Sequence, residues 1–392
     1  MVRAVIMTLV LAAACSGGAT TAPTADAPTT SEPPSPAPST TGPIAATLPS
    51  TTATTGEAAP AAPPAPTTTL VTPPTTVAGT TPVFLTVFSH NERTASRYDA
   101  YATDPAGYAV WRAALLDVAR LLHERGVRYS WQTDYLMVDA IERFEADALA
   151  ADPGPTDAKP LITYLVEDLG VSVEPHAHEC IDPPRVGDCT REPYDYADVV
   201  ARITEVTGVV PAPVIGGTSE AERSLEEFAA CIPGNVTDKP WCPTILTGFA
   251  GTRGGHATDD HHSGVWRPSG FGAEDFLVDD PSGRIANVGR GYSLGAFSSF
   301  GGAEVDPLTF ITDLADRLAD GRAPAGRMYT ATLNFNEDAL IERDLLDDIA
   351  AVLDALQPLV DEGRVIYANF PEVIAAWEHH YGAEPNIFAY EP

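Results

Sequence analysis

From Pro82 onward, short apolar runs alternate with amphipathic helical patterns about seven times, and this alternation constrains the fold more than any other feature. The apolar runs are Val83–Phe88, Val127–Trp131, Val171–Val173, Val214–Ile215, Thr244–Phe249, Met328–Phe335 and Val365–Ala368. Each is short, and Val83–Phe88, bounded by polar turns, reads as a parallel strand covered on both faces. Helical stripes follow them: Val110–Leu122 stopping at Gly126, Met137–Leu149, Leu161–Leu169 closed by Gly170, and Tyr196–Val206 stopping at Gly208. Ser219 is placed to cap the helix after the fourth strand. Further helices are expected over 307–318, 338–360 and 371–380. Repeated βα units imply right-handed crossovers and a parallel sheet, open or closed into a barrel. The reading is therefore an α/β domain over residues 82–392. A glycine-rich insertion interrupts it at about 250–305, with a hairpin at Asp280–Gly283.

In either form of such a sheet, functional residues gather at the carboxyl ends of the strands. His90, Asp134, His176, Gly216, the 256–262 cluster and Asn336 all fall just past expected strand ends. The polar knots there are Ser89-His90-Asn91-Glu92, Glu174-Pro-His176-Ala-His178-Glu179 and His256-Ala-Thr-Asp-Asp-His-His262. Imidazole nitrogens and carboxylate oxygens on a rigid base are the donors a divalent metal takes. His90, His176 and His178 are the candidate ligands, because residues two apart on an extended segment point the same way. Glu92 is a candidate ligand or general base. Glycine-flanked His256–His262 reads either as a solvated loop or as a lid bringing His261 or His262, with Asp259 or Asp260, over the metal. Trp266 and Arg267 suit a sugar-facing wall, although tryptophans are more often core. No phosphate-cradling loop and no Gly-x-Ser-x-Gly elbow occurs.

The first residues read as an export device. Arg3 precedes Ala4–Ala14, which is too short to span a bilayer but suits a signal-peptide core. Residues 1–14 are thus the expected signal peptide. Cys15 follows Leu11-Ala-Ala-Ala14 and resembles the lipidated cysteine of bacterial lipoproteins, with ordinary secretion as the alternative. Residues 15–81 are rich in Thr, Pro and Ala. They lack the large apolar side chains that offset ordering entropy, so a disordered tether is expected. The placement is extracytoplasmic, anchored to the cell membrane through Cys15. Cys180 with Cys189, and Cys231 with Cys242, form two close pairs without C-x-x-C spacing, so two disulfides are expected in an exported chain. Net charge is −31, with only Asp26, Glu32 and Glu57 acidic in the tether. That balance disfavours nucleic acid as a partner.

With these residues in view, the chain resembles the polysaccharide deacetylase superfamily, the seven-stranded glycoside hydrolase/deacetylase barrels. Phe84–Glu92 stands where that family ends its first strand in paired aspartates. Gly170–His178 stands where it carries two histidines, and Tyr329–Glu337 with Glu362–Ile374 matches its closing strands. The resemblance implies a distorted (β/α)7 barrel, a divalent metal such as zinc, and an acetylated glycan polymer as substrate. It also departs from the family: Ser89-His90 replaces the paired aspartates, the histidines are two apart rather than four, and Asn336 stands where a catalytic histidine is expected. A metal-independent glycosidase using two carboxylates among Glu92, Asp134, Glu179 and Glu337, or a glycan-binding lipoprotein without activity, are the alternatives these departures leave open.

Overall fold

A computed structural model describes residues 71–77, 79–90, 98–177, 193–216, 218–219, 223–250, 262–272, 274–289, 307–336, 340–341 and 345–390. The strands that build its sheets are β1 (Val83–His90), β2 (Tyr129–Thr133), β3 (Ser172–Pro175), β4 (Val214–Ile215), β5 (Ile245–Leu246), β6 (Val265–Trp266), β7 (Ala286–Val288), β8 (Tyr329–Asn336) and β9 (Val365–Tyr367). Between them run α1 (Pro105–Glu124), α2 (Tyr135–Ala151), α3 (Leu161–Glu167), α4 (Tyr196–Thr207), α5 (Pro307–Ala319), α6 (Leu346–Asp361) and α7 (Phe370–Tyr381).

β1 is the centre of the main sheet. It pairs in parallel with β8 along its whole length, from Val83 opposite Tyr329 to His90 opposite Asn336. Its other edge is shared: β9 covers Val83–Leu85, and β2 covers Val87–His90. β3 then pairs in parallel with β2. A second sheet holds β4, β5 and β7 in parallel, with β6 antiparallel beside β7. All seven expected strands are present. β6 and β7 were not named as strands; both lie inside the stretch read as a glycine-rich insertion, joined across the turn expected at Asp280–Gly283, where Gly283 N–H donates to Asp280 O at 2.9 Å.

The two sheets meet through isolated bonds rather than ladders. Ala212 N–H donates to Val173 O at 2.9 Å on one side. On the other, Thr330 N–H donates to Ser263 Oγ at 2.8 Å, Gly264 N–H to Thr330 Oγ1 at 2.8 Å, and Thr330 Oγ1 to Gly289 O at 2.6 Å. Among the described residues the closed seven-stranded barrel that the resemblance implies is not shown; the arrangement is a mixed α/β one, with these two sheets and three two-stranded ones beside them. Strands of two or three residues are too short to carry a ladder around both seams. Gly264 is required at its seam, since its φ is +119° and a Cβ would fall 2.2 Å from Asn386 O.

Strand alternation sorts β1 onto two cores. Val83, Leu85 and Val87 pack outward against the helices, together with Leu115, Leu122 and Ile141. Phe84 and Phe88 point inward, onto Val214, Ile245, Val265 and Val288 of the second sheet and onto α7. Full burial of each such ring contributes about 1.5–3 kcal/mol. The helices begin where local chemistry allows. Asp104, Asp134 and Asp195 cap α1, α2 and α4 by accepting a backbone N–H, and Gly208 ends α4 with φ of 73°. Ser224, rather than Ser219, caps the short helix Leu225–Ala229; Ser219 pairs instead with Ala250.

Two ties fix the base of the main sheet, the end at which its parallel strands begin. Arg128, just before β2, donates from Nε and Nη2 to Glu372 of α7 at 2.9 and 2.6 Å. The segment preceding β1 lies against the same end. His380 Nε2 donates to Pro74 O at 3.0 Å, Gly326 N–H donates to Thr81 Oγ1 at 3.2 Å, and a Cβ on Gly363 would meet Val77 at 2.5 Å.

Candidate functional site

The carboxyl ends of the main sheet carry a row of polar residues set by strand register. His90 stands opposite Asn336 on one side and Gln132 on the other, and Gln132 stands opposite Glu174. The period of two then places His176, two residues past Glu174, on the same face. The row continues the inward face of β1, so apolar Phe84 and Phe88 give way to a polar end where the strand leaves the core.

His90 and His176 meet directly. Their Nδ1 atoms are 3.3 Å apart and the ring centroids 4.7 Å, with the planes perpendicular at 89°. Relative exposures are 3% and 4%, so the pair is enclosed by protein. The Phe88 ring backs His90 at 5.0 Å between centroids. Ser89, the adjacent residue, points to the other face and hydrogen-bonds the Tyr129 hydroxyl.

Glu174 is wholly buried. Gln132 Nε2 donates to its Oε2 at 2.9 Å and Ser172 Oγ to its Oε1 at 3.0 Å. Burial disfavours the carboxylate and pushes its pKa up to about 7, with those hydrogen bonds opposing the shift only in part.

The donor set can be tested against a metal. Two ligands of a tetrahedral zinc at about 2.0–2.1 Å lie roughly 3.3–3.4 Å apart, which is the separation of the two Nδ1 atoms. The separation alone suits one pair of ligands; as the rings stand, one Nδ1–H donates to the other Nδ1. No group of three or more His, Cys, Asp or Glu placed to hold an ion occurs among the described residues. His178, the third expected ligand, lies outside them, as do Glu92, Asp260 and His261.

Other expected residues fall elsewhere. The backbone of Asn336 ends β8 beside His90. His262 pairs with Ala389, and its neighbour Ser263 bonds Thr330, six residues before Asn336. At about 3.3 Å per residue that is roughly 20 Å along the strand from the row, so this end of the 256–262 cluster sits toward the base. Trp266 belongs to the core: it is fully buried and its indole N–H donates to Phe276 O at 2.7 Å. Arg267 is turned onto the Trp377 ring, 4.5 Å from its centroid. Neither stands as a sugar-facing wall, because strand alternation at β6 buries the one and packs the other. Asp134 is engaged as the cap of α2, accepting from Met137 N–H at 2.8 Å. Cys231 and Cys242 are disulfide-bonded; Cys15, Cys180 and Cys189 lie outside the described residues.

The structure adds Gln132 to the site. Its signal in the sequence was the alternation of Ser130 and Gln132, two polar residues on one face of an otherwise aromatic strand.

No protein-family model matches the chain, and no curated protein matches it. Solved structures do share its course. One from Mycobacterium smegmatis, named as a polysaccharide deacetylase, is 11% identical with a TM-score of 0.39, over 82% of this chain and 99% of that one. A glycoside hydrolase/deacetylase structure from Parabacteroides distasonis is 12% identical with a TM-score of 0.40, over 76% and 72%. A GH57-type branching enzyme from Pyrococcus horikoshii is 10% identical with a TM-score of 0.39, over 79% and 73%.

Proposed function

We propose that the chain is a metal-dependent hydrolase that removes acetyl groups from a glycan polymer. The observation that carries this reading is the His90–His176 pair: two enclosed imidazoles at the carboxyl ends of β1 and β3, on either side of β2, with Nδ1 atoms 3.3 Å apart. His178 is the third ligand in this proposal. A bound zinc ion would supply Lewis acidity, polarising a carbonyl and activating water near neutral pH. The chain's own part is positional. Phe88 and the sheet fix the His90 ring, while the strand beyond Glu174 fixes His176. Glu92 takes the proton from the attacking water and returns it to the leaving amine or alcohol. Asn336, whose backbone ends β8 beside His90, is the proposed partner of a substrate hydroxyl. Lipidation of Cys15 would hold the chain outside the cell, within reach of a polymer that does not diffuse.

Elemental analysis of the purified full chain tests the proposal. The wild type should carry about one equivalent of a divalent metal, and His90→Ala/His176→Ala should carry less than about a tenth while keeping its circular dichroism. Acetate release from an N-acetylglucosamine oligomer should follow the metal. No metal after reconstitution with zinc, nickel or cobalt would overturn it.

A glycosidase reading is weaker at one of its carboxylates, because Asp134 is already occupied as a helix cap. A binding protein without turnover would keep glycan affinity and release neither acetate nor reducing ends.

A further inference from the structure

Gln132 is the central member of the polar row, between His90 and Glu174, and it is fully buried. Its amide is oriented by the bond from Nε2 to Glu174, which turns Oε1 the other way. That oxygen has no hydrogen-bond partner among the described residues. Leaving a buried acceptor unmatched costs about 1–3 kcal/mol, and folded proteins seldom do so without an occupant.

The surroundings indicate what the occupant is. Gln132 Oε1 faces Gly216, just past β4; a Cβ there would lie 2.7 Å from Oε1 and 3.2 Å from Pro175 O. Two acceptor oxygens therefore converge beside a residue that has no side chain. They offer no donor and no charge, so the group they suit is a neutral donor, an amide N–H or a hydroxyl.

We propose that Gln132 is a ligand-reading residue, whose Oε1 accepts a hydrogen bond from an amide N–H or hydroxyl of the molecule held at His90 and His176. For the ligand class, an N-acetylated sugar, this rests on the function proposed above. Glu174 is the positioning partner that keeps the amide in register, and Gly216, without a Cβ, lets that amide lie against its backbone.

Isothermal titration of the full chain with an N-acetylglucosamine pentamer, and separately with zinc chloride, tests the assignment in wild type, Gln132→Leu and Gly216→Ala. Gln132→Leu should weaken pentamer binding about tenfold or more while zinc binding stays unchanged. Gly216→Ala, whose Cβ would fall 2.7 Å from Oε1 and 3.0 Å from Cδ and so displace the amide from its place, should weaken it likewise; it decides the matter if Gln132→Leu lowers the melting midpoint. Pentamer binding at wild-type strength in a folded Gln132→Leu would make the oxygen the seat of a structural water and overturn the proposal. So would a wild type that binds zinc but no pentamer, an outcome that leaves the metal site standing. A wild type that binds the pentamer through Gln132 but takes up no zinc would support this assignment and sink the metal-dependent hydrolase.

Discussion

Ser89 and His90 are neighbours in sequence and serve opposite faces of one strand. Ser89 meets Tyr129 among the helices, while His90 meets His176 inside. The same strand geometry explains which site residues were legible. His90 and His176 could be read because each interrupts an apolar run just where a strand must end. Gln132 could not, because the second strand was expected to stop at Trp131 and runs instead to Thr133. A boundary two residues short puts a row residue into a loop. The residue scale also carries a pH effect. Asp195, which caps α4 and is fully buried, has its pKa pushed up to about 6, chiefly by burial, with the Asp198 charge adding to the shift. A carboxyl whose pKa is raised on folding stabilises the fold fully below its ordinary pKa, and that contribution is lost as pH rises through about 6. Between pH 4 and 7 the melting midpoint of the wild type should therefore fall by about 2–5 °C relative to Asp195→Asn, a residue that still caps. Parallel midpoint curves for the two proteins would show that Asp195 titrates normally.

At the scale of elements, the helices outside the main sheet are locked by one buried ion pair. Arg112 of α1 donates to Glu145 of α2 through Nε at 2.8 Å and Nη2 at 3.0 Å. Glu145 also accepts from the Tyr108 hydroxyl at 2.7 Å and from Leu161 N–H, the first residue of α3, at 2.9 Å. One carboxylate thus gathers three helices, and its acceptor sites are matched by four donors. Glu145→Ala would leave a guanidinium and a hydroxyl buried without it. The expected loss is about 3–5 kcal/mol in urea denaturation, whereas Asp168→Ala, at an exposed pair with Lys159, should leave the midpoint unchanged. Equal effects from the two would mean that packing, not the ion pair, holds the helices. A second clasp works on the disulfide loop: buried Asp198 accepts from Thr237 N–H and Thr237 Oγ1 at 2.8 and 2.7 Å. None of these polar locks was legible from spacing, because their partners are brought together by packing over 16 to 39 residues.

At the scale of the molecule, the alternation of runs and helices was enough to find the seven expected strands and their parallel direction. It could not find β6 and β7, two and three residues long in a glycine-rich stretch, nor decide closure, which depends on isolated bonds at Ala212 and Thr330. Periodicity reports on which face is buried, and a two-residue strand has too little of it to report register. The docked segment before β1 has a mechanical consequence. The chain reaches β1 from the base, and β1 is held along both edges by three parallel partners. A pull on residue 71 would first peel the contacts at Pro74, Val77 and Thr81, then load the strand lengthwise, so that its ladder bonds share the force instead of opening one by one. Pulling residue 71 against residue 390 in an optical trap should show an early extension of about 35 Å, the contour of roughly ten residues, before a single larger rupture. A trace without the early step would mean that the segment bears no load, and that β1 takes the strain from the outset.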